Sequence, residues 1–196
     1  MKTILAAALA GTLALASMPA DAQKPLRIRG TITAVADDAL SVKTIDGKEV
    51  KLRLNDKTAV AAAKALKPAD LKPGTYVGST TTQRADGALI ASEVHTIAPT
   101  VKPGHGPWDR PGTMMTNANV VSVVEAAGGQ ELTLKYKGGL KTILVPPGTP
   151  IVTTTKADRT YLKPGEYVFA IARPEAGGDL TALRVQVSKD GVRPPQ

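Results

Sequence analysis

Leu71-Lys72-Pro73-Gly74-Thr75-Tyr76-Val77 returns as Leu162-Lys163-Pro164-Gly165-Glu166-Tyr167-Val168, 91 positions further along the chain. At the same offset, Gly87-Ala88-Leu89-Ile90-Ala91 and Val94 stand opposite Gly178-Asp179-Leu180-Thr181-Ala182 and Val185. Agreement over that span marks a duplicated unit, and two related units must fold in related ways. In each copy a Lys-Pro-Gly break ends one element and a tyrosine-led strand begins the next. Proline and glycine supply the fixed and the permissive φ that such a break needs.

Working outward from the repeat, the neighbouring runs alternate with a period of two. Leu40, Val42 and Thr44 interleave with Ser41 and Lys43, and Val50, Leu52 and Leu54 with Lys51 and Arg53. That is the pattern of half-buried strands, and Asp46-Gly47 between them predicts a hairpin turn. An earlier strand is expected over Ile28 to Val35, and two more over Thr75 to Thr82 and Leu89 to Ile97, joined through Asp86-Gly87. Between the third and fourth strands, Ala61 to Leu66 is rich in helix formers and Pro68 to Leu71 predicts a further helical turn. The second unit repeats the plan with strands over Asn117 to Val124, Leu132 to Tyr136, Leu140 to Val145, Tyr167 to Ala172 and Leu180 to Val187.

Three strands, a short helix and two strands is the order of a small OB-type barrel whose helix plugs one end. The expected fold class is therefore all-β with small helical elements, as two tandem five-stranded OB-like barrels; a pair of open sandwich-like sheets is the competing architecture. Gly30-Thr31-Ile32-Thr33-Ala34-Val35, the Asp70-Leu71-Lys72-Pro73-Gly74-x-x-Val77 turn and the Asp86-Gly87-x-Leu89-x-Ala91-x-x-Val94 ending resemble the repeat unit of an uncharacterised family of secreted bacterial OB-like domains, a domain of unknown function. The resemblance covers both halves, although Asn117-Ala118-Asn119-Val120 replaces the glycine-led first strand in the second. It implies a fold and a compartment and no chemistry.

The N-terminus points to the same compartment. Lys2 precedes an uncharged apolar run from Ile4 to about Ala16, and Ala20-Asp21-Ala22 forms a small-x-small cleavage site. Residues 1–22 thus read as a cleaved signal peptide, the run being shorter than the ~20 residues a membrane span needs. The expected location is the periplasm or the exterior. There is no cysteine, so stability must come from packed cores without disulfides. The organisation expected is a barrel over 24–98, a Pro/Gly-rich connector over 99–115, a second barrel over 116–190 and a flexible tail over 191–196.

The formal charge of +8 is dispersed, with 12 basic against 8 acidic residues in 24–98 and 9 against 7 in 116–190. Dispersal predicts solvated strand faces, with weak attraction to anionic surfaces as the alternative. Nucleic-acid binding by an OB-type barrel relies on aromatics exposed on its second and third strands. The first unit has none there and the second only Tyr136, so no nucleic-acid partner is expected, and no membrane insertion.

The connector holds the chain's only tryptophan, one of its two histidines and two of its four methionines, in Pro99 to Met115. Linkers are usually small and polar. Trp108 beside Asp109 and Arg110 predicts a segment that folds back and docks. One reading is a ligand site in the groove between the units, made of His105, Trp108, Asp109 and Arg110; the other is an aromatic anchor for packing alone. His105, Asp109, Met114 and Met115 are weak candidates for a metal, since specific sites normally gather three or four strong ligands. His95 reads as a surface strand residue.

Catalysis has little to work with. Only His95 and His105 could serve a nucleophile, no Gly-x-Ser-x-Gly elbow occurs, and the acids Asp46, Asp86 and Asp179 fall in turns. The expectation is a non-catalytic periplasmic binding or scaffolding protein, without cofactor, for an unknown protein or envelope component. A metal-handling protein using the connector is the alternative, and a hydrolase of envelope carbohydrate the second.

Overall fold

The alternating runs form thirteen strands in a computed structural model that describes residues 24–175 and 177–195. The expected signal peptide lies outside these residues. In the first repeat the strands are β1 (Leu26–Ala36), β2 (Ala39–Thr44), β3 (Glu49–Arg53), β4 (Ala59–Ala65), β5 (Tyr76–Gln83) and β6 (Leu89–Thr96). The connector contributes β7 (Gly104–Pro107). The second repeat supplies β8 (Thr113–Ala126), β9 (Gly129–Tyr136), β10 (Gly139–Val145), β11 (Ile151–Ala157), β12 (Tyr167–Pro174) and β13 (Leu180–Val187). Helical structure among the described residues is confined to 3-10 turns at Pro68–Asp70 and Arg159–Tyr161.

The pairing corrects the expected domain boundaries. β1 pairs with β2, β2 with β3, β3 with β13, β13 with β12 and β12 back to β1, a closed five-stranded ring. β8 pairs with β9, β9 with β10, β10 with β6, β6 with β5 and β5 back to β8, closing a second ring. Neither 24–98 nor 116–190 closes on itself. Each ring takes three strands from one repeat and two from the other, so one barrel is continuous from β5 to β10 while its partner is built from the two ends of the chain.

The repeated heptapeptide is the junction where this exchange happens. Gly165 N–H donates to the Ile32 carbonyl at 2.9 Å and Gly74 N–H to the Val120 carbonyl at 2.8 Å. The return bonds run from Ile32 N–H to Glu166 and from Val120 N–H to Thr75, both at 2.9 Å. Each Lys-Pro-Gly turn therefore hands its strand to the first strand of the opposite repeat. Both glycines sit at φ +91, a left-handed conformation that side chains resist.

The hydrophobic cores follow the rings. One gathers Ile32, Leu40, Val42 and Leu52 from the first repeat with Val168, Ala170, Val185 and Val187 from the second. The other gathers Val77 and Val94 with Val120, Leu132, Leu134 and Ile143. Most of these side chains have no exposed surface, and a buried Val, Leu or Ile stabilises by about 1.5–3 kcal/mol. That explains how a chain without disulfides holds two small barrels.

The expected plug helix over Ala61 to Leu66 is also corrected, since Ala59–Ala65 is β4. Seven residues are too few for a helix without tertiary support, and here that support comes from neighbouring strands instead. β4 runs antiparallel to β11 and parallel to β13, with Ala62 and Ala63 each 1 % exposed. Ala63 lies opposite Thr154, its own equivalent 91 positions on, so the repeats meet on a local two-fold axis through this pair. β4 and β11 together bridge the barrels, β11 joining β6 as β4 joins β13.

Candidate functional site

The bridge leaves a groove on each side, and the two are equivalents under the repeat. The larger, of about 630 Å³, includes Ala65, Glu93, Ile151 and Val152. The smaller, of about 460 Å³, includes Lys156, Arg184, Val60 and Ala61, which stand at the matching positions. Trp108 forms part of the wall of both. These volumes suit small-molecule sites, which run to about 300–1,000 Å³.

Trp108 is placed by the segment around it. Its backbone N–H donates to the Thr113 carbonyl at 2.9 Å, and the Thr113 hydroxyl donates to the Arg110 carbonyl at 2.7 Å, which closes the loop between β7 and β8. The Arg27 guanidinium lies 4.6 Å over the indole. A cation above an aromatic face is worth about 0.5–1 kcal/mol at a partly exposed site. The indole Nε1–H is buried and has no acceptor among the described residues. An unsatisfied buried donor costs about 1–3 kcal/mol, and an incoming acceptor would recover it.

Asp109 latches the connector to the end-built barrel. Its carboxylate accepts from Arg29 Nη2 at 2.7 Å, and Arg29, only 8 % exposed, stacks 4.7 Å over the Phe169 ring. The docked connector expected from the sequence is thus present. Tyr76 helps to hold it, donating its hydroxyl to the Val101 carbonyl at 2.8 Å.

Of the six residues singled out by sequence, the grooves gather three. Trp108 and Arg110 line the larger and Trp108 and Met115 the smaller, Met115 being buried on β8. Asp109 is engaged with Arg29. His105 sits on β7 with its Nδ1 2.8 Å from the Thr116 hydroxyl and its ring 6.3 Å from Tyr136. Burial, and secondarily the charge of Lys141, lowers its pKa from the usual value. Met114 lies opposite Pro107 in the β7–β8 register. Among the described residues no three His, Cys, Asp or Glu side chains converge as a metal site.

Several groove residues were not anticipated. His95, expected at the surface, is 9 % exposed because β6 is flanked by both β5 and β11. Its Nδ1 lies 2.9 Å from Glu93 Oε1, and its ring occupies the space opposite Gly78, where a Cβ would meet Nε2 at 2.6 Å. The equivalent pair, Phe169 opposite Gln186, reverses the sizes. The expected flexible tail is corrected as well: Pro194 and Pro195 are buried, residues 191–194 line the larger groove, and Arg193 stacks 4.7 Å over Tyr167. A signal existed for this, because Val101-Lys102-Pro103 returns as Val192-Arg193-Pro194 at the offset of 91. Tyr76 and Tyr167 thus each pin the segment that follows their repeat.

The turn acids stay in turns. Asp46 pairs with Lys48 and Asp179 with Arg53, and the Arg84 guanidinium lowers the Asp86 pKa to about 2. What fold and grooves define together is a nearly all-β, double-barrel protein with a wall-sharing pair of clefts. Residues 29–95 match the family model described as a domain of unknown function, DUF5666. That match runs from β1 to β6, so it contributes three strands to one barrel and two to the other. No curated protein and no solved structure matches the chain. Among the described residues no helix is long and apolar enough to cross a membrane.

Proposed function

We propose that the protein is a non-catalytic, exported binding protein that takes a small, partly apolar ligand between its barrels. The observation that carries this reading is Trp108, an aromatic wall common to two clefts whose buried N–H has no acceptor among the described residues. A connector needed only for packing could bury an indole inside one core. Here the indole instead lines both clefts, whereas Phe169 lines only the smaller. Export is supported by the charge, apolar run and Ala20-Asp21-Ala22 ending of residues 1–22.

The test uses the single tryptophan as reporter. Titration with the neutral apolar dye N-phenyl-1-naphthylamine should quench Trp108 emission saturably, with a Kd near the micromolar range, about −8 kcal/mol. Ala61→Phe, which fills the smaller cleft from β4, should weaken that binding about tenfold, the equivalent of ~1.4 kcal/mol. Trp108 emission that does not change with dye, or a response that rises without saturating and ignores Ala61→Phe, contradicts the proposal.

A further inference from the structure

The duplication supplies an internal control on the charge of the two clefts. At the same place in the fold the larger cleft has Glu93 and Ala65, and the smaller has Arg184 and Lys156. Since an alanine serves at one of these positions and a carboxylate at the other, the barrel does not need a cation at either. Arg184 lies opposite Ala59 and Lys156 opposite Ala61 on the two sides of β4, so both cations flank one face of the bridge with only alanines between them. Arg27 adds a third cation, and the described residues lining this cleft include no carboxylate. Neither Lys156 nor Arg184 forms an ion pair among the described residues, whereas Arg27 lies 3.9 Å from Asp109.

The same cleft offers apolar surface from Trp108, Phe169 and Met115. Cations separated by less than or about a Debye length, ~8 Å at physiological salt, repel one another unless an anion stands between them. A small organic anion with an apolar body answers both features, its charge meeting Arg184 and Lys156 and its body lying against Trp108. We infer that the smaller cleft is selective for such amphiphilic organic anions, an inference that rests on the binding role proposed above.

The experiment compares N-phenyl-1-naphthylamine with 8-anilinonaphthalene-1-sulfonate, the same ring system carrying a sulfonate. Hydrophobic burial alone favours the neutral dye. The intact protein at low salt should instead bind the sulfonate at least about tenfold more tightly, a difference of ~1.4 kcal/mol. Lys156→Ala and Arg184→Glu, each installing the residue found at the equivalent position of the other cleft, should abolish that preference by weakening binding of the sulfonate. Lys137→Ala, in the β9–β10 turn, should leave the preference intact. Both cleft residues are exposed, and Lys156→Ala alone suffices as a test if Arg184→Glu impairs folding. Equal or tighter binding of the neutral dye by the unaltered protein overturns the anion selectivity while leaving the binding role standing. So does a sulfonate preference that survives Lys156→Ala. Failure of both dyes to bind overturns both.

Discussion

Residues 24–98 expressed alone should not fold as a monomer, although they contain the whole segment matched by the family model. In the full chain β1, β2 and β3 close their ring with β12 and β13, and β5 and β6 close theirs with β8 and β10. The isolated repeat therefore has three strands of one barrel and two of the other, with unpaired edges and half of each core exposed. A two- or three-stranded sheet of that kind is marginal in water. Two copies can supply one another, because β5 and β6 are the equivalents of β12 and β13. The expected result is a sheet signal in circular dichroism that rises with protein concentration, together with a dimer in sedimentation. A segment spanning residues 67–157 holds the continuous barrel entire and should fold as a monomer. A folded, concentration-independent monomer of 24–98 would rule out the exchanged pairing.

Gly30→Ala should destabilise the full chain by about 3 kcal/mol, at the upper end of what overpacking costs. Gly30 lies between Val168 on β12 and Thr44 on β2, at a point where the strands approach closely. A Cβ there would meet the Lys43 carbonyl oxygen at 2.2 Å and the Thr44 Cα at 2.8 Å, both of them backbone. No side chain can swing aside to relieve that contact, so β1 and β2 must part. In the second repeat an alanine, Ala118, already takes this place, fully buried, and there the β8–β9 register begins only at Asn119. Ala118→Gly should accordingly cost no more than about 1 kcal/mol, the backbone entropy of a strand glycine. For a chain of this size the Gly30 effect corresponds to a fall in Tm of roughly 6–12 °C. Equal shifts for the two substitutions would contradict the strand crossing described here.

The strands were legible where alternation was strong. Leu180–Val187 coincides with β13, and the Asp46-Gly47 turn lies between β2 and β3 as expected. β4 and β11 were not legible. Ala61-Ala62-Ala63 favours helix in isolation, and only the flanking β11 and β13 impose the extended form. Exchange between repeats is invisible to sequence for a related reason: strands 91 positions apart have interchangeable core residues, and pairing within or between repeats satisfies the same pattern. Trp108 was conspicuous because it is single. The cations Lys156 and Arg184 were not, since a charge on a strand face reads as solvated until β4 is known to place alanines between them.

The interchange between repeats can be read directly, because the protein has no cysteine to interfere. Thr31 pairs with Tyr167 across β1 and β12, and Tyr76 is the equivalent of Tyr167 in the first repeat. Facing residues of antiparallel strands have Cα atoms about 4.5–5.5 Å apart, within the span of a disulfide. Under mild oxidation the double variant Thr31→Cys, Tyr167→Cys should form an intramolecular disulfide in the monomer, seen as a mobility shift reversed by reductant. Thr31→Cys, Tyr76→Cys should not. The opposite outcome, a bond from position 31 to 76 and none to 167, would show that each repeat closes on itself and that the clefts flanking β4 and β11 do not exist in the form described.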